Sequence, residues 1–431
     1  MHGMLIHQSV ENRSFHTSQV MVSYCFTVVC TKVVFDMLKI GTIACLCVAI
    51  TVPLMAMRSL DAKTAAIGTH IRRSIAADFM RWGQSTVELS LRDFFRGHGR
   101  LLATRVRFVS PHHWVAARTP ATAWDQGLFI LMLAAGAEHR AADAQLLRRY
   151  LPQLMWYWRV AHGVGGFNAE PGHGPLDRYY DDNEWITWGL LRGYRATHDS
   201  VFLKAAESDF QFVLSGRSRQ LGGGIFWHEQ DKNYKNTCAN APAVIDALQL
   251  FQITHRRRYR RIALAIYRWI NTHLQAPDHL FYDGERINHT INKMEWSYNT
   301  GAMLTANCLL YRATHRRTYL IRAQSIAHSA RLKWISTATG GVHDGGPFAW
   351  VLLNGFLHLY RADNQARWLR MVIKAMLYVH GRCRDQDGLY GNRWDRAVRS
   401  DSPRSLLDQA AAGGAFFQAA NAINVYLRRH N

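Results

Sequence analysis

The chain has 431 residues, 48% hydrophobic and 12% aromatic with 14 Trp, enough for a large core; only 10 Pro and no low-complexity tract argue for one continuous body rather than modules on linkers. A formal net charge of +21 suggests nucleic acid. However, basic runs such as His255-Arg256-Arg257-Arg258-Tyr259-Arg260-Arg261 and His315-Arg316-Arg317 fall at turns between helices with no helix-turn-helix, zinc-finger or RNA-binding signature, so they read as a solvated rim and nucleic acid is not an expected partner.

Residues 1–62 do not read as part of the fold. Met37-Leu38-Lys39 precedes an apolar run from Ile40 to Met57, broken only by Thr42, Thr51 and Pro53. A short positive start followed by an apolar stretch describes an export signal, with Met37 as an alternative start. The run 40–57 also reaches the minimum length of a membrane span. Export with cleavage is favoured over anchoring, which gives a secreted, periplasmic or cell-surface protein in transient contact with a membrane. Residues 63–431 form the expected catalytic domain, acting as a monomer. Four of the seven cysteines lie in the N-terminal segment; Cys238, Cys308 and Cys383 are so far apart that at most one disulfide fits, and buried thiols are the expectation. No metal-ligand spacing is visible, and neither a metal nor a cofactor is expected.

Along the body one pattern recurs. Tyr194-Arg195-Ala196-Thr197-His198, Phe251-Gln252-Ile253-Thr254-His255, Tyr311-Arg312-Ala313-Thr314-His315 and Tyr360-Arg361-Ala362-Asp363-Asn364 each place Thr or Asp three residues after an aromatic ring, at intervals of 57, 60 and 49 residues. Thr or Asp ahead of a fresh apolar period reads as a helix N-cap, so each segment is the tight turn of a helical hairpin. Between these turns run longer loops rich in Gly and aromatics, such as Gly163-Val164-Gly165-Gly166-Phe167 and Leu221-Gly222-Gly223-Gly224-Ile225-Phe226-Trp227. The spacing predicts outer helices starting near residues 71, 142, 199, 256, 317 and 365, and inner helices starting near 123, 182, 236, 297, 347 and 406. Stacked repeats bury their faces against one another. Six hairpins closing on themselves make an all-α (α/α)6 toroid, with the long loops gathered where the inner helices begin.

At that end lies Arg178-Tyr179-Tyr180-Asp181-Asp182-Asn183-Glu184-Trp185. Its blandest reading is a helix cap, but a cap needs one carboxylate and this stretch has two, wrapped in aromatic rings. Aromatic faces stack on sugars, and paired carboxylates perform glycosidic chemistry. Other short stretches fall at the same end. Trp227 precedes Asn236 and Asn240, one turn apart at a helix start; Trp296, Tyr298 and Asn299 open the next inner helix; Trp124 opens the first. No nucleophile–base pair or phosphate loop supports acyl or phosphoryl transfer.

Tyr180-Asp181-Asp182 with Trp185, Gly223-Gly224-Ile225-Phe226-Trp227, Tyr234-Lys235-Asn236 with Asn240, and Trp296-Ser297-Tyr298-Asn299-Thr300-Gly301 together resemble glycoside hydrolase family 76, the endo-α-1,6-mannanases and their fungal cell-wall relatives, over residues 120 to 425. The resemblance implies an (α/α)6 fold and retaining hydrolysis of an α-mannan, with Asp181 as nucleophile and Asp182 as general acid/base. It also allows transglycosylation from the same intermediate. Asn183-Glu184 stands where that family carries apolar or small residues, Thr300 where Gln is common, and Phe348-Ala349-Trp350-Val351 in place of a Lys-Gly pattern. Two other readings remain: an (α/α)6 sugar 2-epimerase, and a non-catalytic glycan-binding toroid in which the aspartates are caps.

Overall fold

The computed structural model describes residues 70–96 and 101–430. The export or anchor segment expected over 1–62, with its apolar run 40–57, lies outside them. Among the described residues no helix is long and apolar enough to cross a membrane.

Twelve α-helices account for most of the described chain. They are α1 (70–93), α2 (Ala123–Ala137), α3 (Ala141–Leu154), α4 (Tyr180–Thr197), α5 (Ser200–Ser215), α6 (Ala241–Thr254), α7 (Arg257–His273), α8 (Ser297–Thr314), α9 (Arg317–Trp334), α10 (Gly346–Asp363), α11 (Ala366–Arg382) and α12 (Leu406–His430). The even-numbered helices are buried on nearly every side. Each packs on the next, α2 on α4, α4 on α6, α6 on α8, α8 on α10 and α10 on α12, and α12 returns to α2, which closes the ring. The odd-numbered helices form the outer layer and are amphipathic. In α7 the buried residues Tyr259, Ala263, Ile266, Tyr267 and Ile270 make one stripe, and exposed arginines occupy the opposite side. The all-α (α/α)6 toroid is the observed fold.

Small residues set the inner spacing. A Cβ at Gly301 in α8 would lie 2.5 Å from the Leu352 Cα of α10, and one at Gly127 in α2 would lie 2.8 Å from the Trp185 Cβ of α4. Backbones this close leave no room for a methyl group.

The recurring turn is where it was expected, but its Thr works differently. Thr197, Thr254 and Thr314 end the inner helices rather than cap the outer ones. Their hydroxyls donate back to the carbonyls of Gly193, Leu250 and Leu310 at 2.8, 2.7 and 2.7 Å. The following residues, His198, His255, His315 and Asn364, adopt φ of 55–57° and close each helix as a left-handed C-cap. Of the outer helices begun by these turns, α5 alone is capped by a side chain, that of Asp199.

The Gly/aromatic loops carry eight short strands: β1 (Arg105–Ser110), β2 (His113–Ala116), β3 (Trp158–Ala161), β4 (Val164–Phe167), β5 (Tyr234–Asn236), β6 (Tyr282–Arg286), β7 (Ile291–Glu295) and β8 (Arg404–Ser405). They pair antiparallel as β2-β1-β8, β3-β4 and β5-β6-β7. One inner helix therefore departs from expectation. The start near residue 236 is instead the end of β5, and α6 begins at Ala241, because Asn236 is held in register with Gly284 of β6. Cys238, Cys308 and Cys383 are buried free thiols, as their spacing implied.

Candidate active site

Where the inner helices begin, the loops enclose a cleft of about 680 Å³, a volume within the range of small-ligand sites. Asp181 and Asp182 form part of its wall, in the first turn of α4. Neither is the N-cap; that position belongs to Tyr179, whose side chain makes no capping bond.

The chain is pinned on both sides of the pair. Ahead of it, the fully buried Arg178 donates a two-pronged pair to Glu229 at 2.7 and 2.6 Å and two further bonds to the carbonyls of Arg159 and Val164, both at 3.0 Å. Asn183 donates to the Phe167 and Tyr179 carbonyls at 3.0 and 2.7 Å and accepts the Phe167 N–H at 2.6 Å. Across the cleft, the Trp227 carbonyl accepts the Tyr180 N–H and its N–H donates to the Tyr234 carbonyl, both at 3.0 Å. The buried Lys235 donates to three carbonyls of the Gly-rich loop, those of Ser218, Gln220 and Gly223, and burial lowers its pKa to about 8.

These anchors give the two carboxyls different surroundings. Asp181 accepts the Trp227 indole N–H at 3.0 Å and the Cys238 thiol at 3.2 Å on Oδ2, and the Asp182 N–H at 3.1 Å on Oδ1. Among the described residues Asp182 has no side-chain donor. Both side chains retain some exposure, but the surrounding wall strips them of water. Desolvation raises the pKa of Asp181, and the bonds from Cys238, Trp227 and the backbone oppose the rise. Desolvation raises Asp182 further, well above the usual carboxylate range, and the charges of Asp181, Asp125 and Asp177 add to it. The pair is therefore split: the carboxyl with donors ionises first and its neighbour keeps a proton.

Aromatic rings line the rest. Trp227 is 39% exposed and forms one wall. Tyr298 stacks on Phe348 with centroids 4.2 Å apart, and Trp124 lies 6.0 Å from the same ring. Trp185 lines the base. The hairpin of β6 and β7 contributes Asp283, which accepts the Tyr234 hydroxyl at 2.6 Å and the Asn292 amide at 2.9 Å. Asn236 also faces the cleft, and its Oδ1 is buried without a partner.

Of the residues singled out from sequence, the cleft thus gathers Asp181, Asp182, Trp124, Trp185, Trp227, Asn236 and Tyr298. Four lie elsewhere. Tyr180 is buried behind the wall and stacks on Phe212 at 4.9 Å. Asn240 is not a second amide on a shared helical face, because Asn236 ends a strand. Its side chain instead holds the Gly-rich loop, accepting the Ile225 N–H at 2.7 Å and donating to the Ile225 and Asn236 carbonyls at 2.9 and 2.8 Å. Trp296 is the N-cap residue of α8 and packs edge-on against Phe348 at 5.6 Å, and Asn299 is wholly buried within α8, outside the cleft lining. Sequence reasoning missed Tyr179, Asp283, Arg286, Asn292 and Phe348. Phe348 was visible only as a departure from the resembled family, and the hairpin residues gave no signal because strand pairing brings them in from about fifty positions away.

The buried Glu184 also stands apart from the resembled pattern. Burial, with Asp246, Asp181 and Asp209 nearby, raises its pKa well above the usual range, which favours the neutral acid, and it lies outside the cleft lining.

The model of glycosyl hydrolase family 76 matches residues 85–344. The chain is similar to the mannan endo-1,6-alpha-mannosidase DCW1 of Candida glabrata, 32% identical over 122 residues that cover 25% of this chain and 27% of that protein. It is also similar to the meiotically up-regulated gene 191 protein of Schizosaccharomyces pombe, 25% identical over 203 residues, 43% of this chain and 46% of that one. The matches span less than half the length of these curated relatives. Among solved structures, a family 76 α-mannanase of Bacteroides thetaiotaomicron superposes with a TM-score of 0.76 at 24% identity over 81% of this chain and 97% of that one. An inactive variant of an α-1,6-mannanase of Salegentibacter sp., with two consecutive aspartates replaced by asparagine and α-1,6-mannotriose bound, superposes with a TM-score of 0.68 at 21% identity over 80% and 99%. At these identities the likeness to solved structures establishes the shared toroid.

Proposed function

The chain belongs to glycosyl hydrolase family 76, and from that premise we propose that it hydrolyses α-1,6-mannosidic bonds within a mannan-type polysaccharide, with retention of configuration. The observation that carries this reading is the split carboxyl pair in a cleft walled by aromatic rings. Aromatic faces suit the apolar faces of sugar rings, and the split supplies one nucleophile and one acid.

In the first step an Asp181 oxygen bonds to the anomeric carbon as the glycosidic C–O bond breaks, and Asp182 gives its proton to the departing oxygen. In the second step Asp182, now ionised, takes a proton from water, whose oxygen bonds to the anomeric carbon and releases Asp181. A sugar hydroxyl in place of water would give transglycosylation. Trp227 and Cys238 stabilise the Asp181 carboxylate before attack and in its role as leaving group. The relatives named mannan endo-1,6-alpha-mannosidases support the choice of polymer. The same reading puts the enzyme outside the cytoplasm, with residues 1–62 as the export segment.

Product release from α-1,6-mannan, followed by chromatography of the oligosaccharides, tests this. Wild type is expected to release short mannooligosaccharides, and Asp181→Asn and Asp182→Asn to release them at least about a hundredfold more slowly while still folded. Unchanged release by both variants overturns the site. No release by wild type from any α-mannan favours an epimerase or a non-catalytic glycan binder.

A further inference from the structure

At the other end of the same inner helices a second cavity, of about 230 Å³, opens among their last turns. The recurring turn builds it. Its second residue is Arg195 in α4, Arg312 in α8 and Arg361 in α10, and all three line this cavity, joined by Arg192 one turn earlier in α4. In α6 the same position is Gln252, also in the lining. Four guanidinium groups thus meet around one carboxylate, Glu138, which is engaged by Arg192 through bonds of 2.7 and 3.0 Å. Arg195 donates to Gln249 and Gln252 at 2.7 and 3.1 Å. Among the described residues Arg312 and Arg361 have neither an ion pair nor a hydrogen-bond acceptor.

A basic residue in the last turn of a helix offsets the dipole, and that alone would account for one arginine per helix. It does not account for the floor. Gln249, Asn354 and Gln418 line the cavity from α6, α10 and α12, are 3%, 4% and 3% exposed, and each leaves a buried amide atom without a partner: Nε2, Nδ2 and Oε1. An unpaired buried amide is costly, and the two donors among these atoms, Gln249 Nε2 and Asn354 Nδ2, mark a place built for a ligand that accepts. The crowding has a further sign. Burial, with neighbouring arginines adding to it, brings Arg195 and Arg361 down to about 10 and holds His358 in the same cavity neutral.

We propose that this cavity is a binding site for a compact phosphate-bearing anion, held by Arg195, Arg312 and Arg361 and by the amide donors of Gln249 and Asn354. Phosphate suits it better than a carboxylate. The donors come from four different helices, a tetrahedral oxyanion presents oxygens in all those directions, and a planar carboxylate serves only one. The site is separate from the catalytic cleft. Asp182 and Arg195 are thirteen residues apart on one helix, about 20 Å along its axis. Between them Trp185, which lines the cleft, stacks on Trp188, which lines the cavity, at 5.6 Å, and Trp350 packs against both at 6.3 and 5.9 Å.

Calorimetric titration of the folded protein with pyrophosphate, inorganic phosphate, mannose 6-phosphate and citrate, at ionic strength matched with sodium chloride, tests this. One or more of the phosphate ligands is expected to bind and citrate to bind at least tenfold more weakly. Arg312→Gln and Arg361→Gln should each weaken binding at least tenfold, and Arg257→Gln, on the exposed face of α7, should leave it unchanged. Tighter binding of mannose 6-phosphate than of the inorganic ligands identifies a sugar-borne phosphate, and the reverse identifies a free anion. No heat beyond the sodium chloride control, equal binding by wild type and Arg312→Gln, or citrate as tight as the phosphates would overturn the proposal. Because Arg312 is exposed, Arg312→Gln keeps the test valid even if Arg361→Gln does not fold.

Discussion

The two ends of the toroid axis are built from the same helices and carry opposite chemistry. At the N-terminal ends stand Asp181 and Asp182; at the C-terminal ends stand Arg192, Arg195, Arg312 and Arg361. Both placements suit the helix dipole. Yet the dipole does not decide the state of either cluster. The first turn of α4 should favour ionised aspartates, and desolvation instead raises both. Local donors then separate the pair, because Trp227 and Cys238 reach Asp181 and leave Asp182 without them. At the other end no acceptor comparable to those donors reaches Arg312 or Arg361. At one end donors reach one carboxyl of the pair and leave the other without them, and at the other end the arginines are short of acceptors.

The largest expected effect breaks the first end. Asp182→Asn removes the proposed acid and should lower kcat about 10²–10⁴-fold, and Asp181→Asn should cost at least as much; Asp182→Asn replaces a desolvated neutral acid by a neutral amide and should keep the wild-type thermal midpoint. Next, Trp227→Phe sharpens the split by removing the indole donor. A hydrogen bond to a charged group contributes about 1.5–3 kcal/mol, which is about 10–100-fold in kcat/KM. Losing a donor to the ionised form raises the Asp181 pKa, so the acid limb of the pH–rate profile should move to higher pH in Trp227→Phe while the alkaline limb, set by Asp182, stays in place.

Two smaller effects concern the ring that holds the ends apart. Gly301→Ala drives a methyl group into the Leu352 backbone of α10 and should destabilise the fold by about 1–3 kcal/mol in chemical denaturation. Asp408, near the start of α12, is raised by burial to about 6. Because its folded pKa lies above the unfolded value, the stability it contributes is fully present below the unfolded pKa and is lost as pH rises through about 6. Asp408→Asn removes that dependence. The stability of wild type relative to the variant should fall by about 1 kcal/mol between pH 5 and pH 7.

The ring was legible in the sequence because its period is long and its turn repeats one pattern, an aromatic ring with Thr or Asp three residues later. The carboxyl pair stood out because a helix start seldom needs two aspartates. What stayed hidden follows from contacts that no local pattern encodes. Asn236 and Asn240 looked like one helical face because β5 pairs with β6 only across 48 positions, from Asn236 to Gly284. Thr197, Thr254 and Thr314 looked like N-caps because a Thr that bonds back to the residue four before it ends a helix at nearly the same place. The repeat's arginines carried no signal of their own in the sequence, and only the closure of the ring shows that Arg195, Arg312 and Arg361 line one cavity.

The assignment of Asp181 as nucleophile and Asp182 as acid is tested most directly by proton NMR of the sugar first released from α-1,6-mannan, read before mutarotation. Two displacements at one carbon predict that the new reducing end appears as the α-anomer and later relaxes toward the equilibrium mixture. Initial appearance of the β-anomer would mean that water attacks directly, and would contradict a covalent step at Asp181.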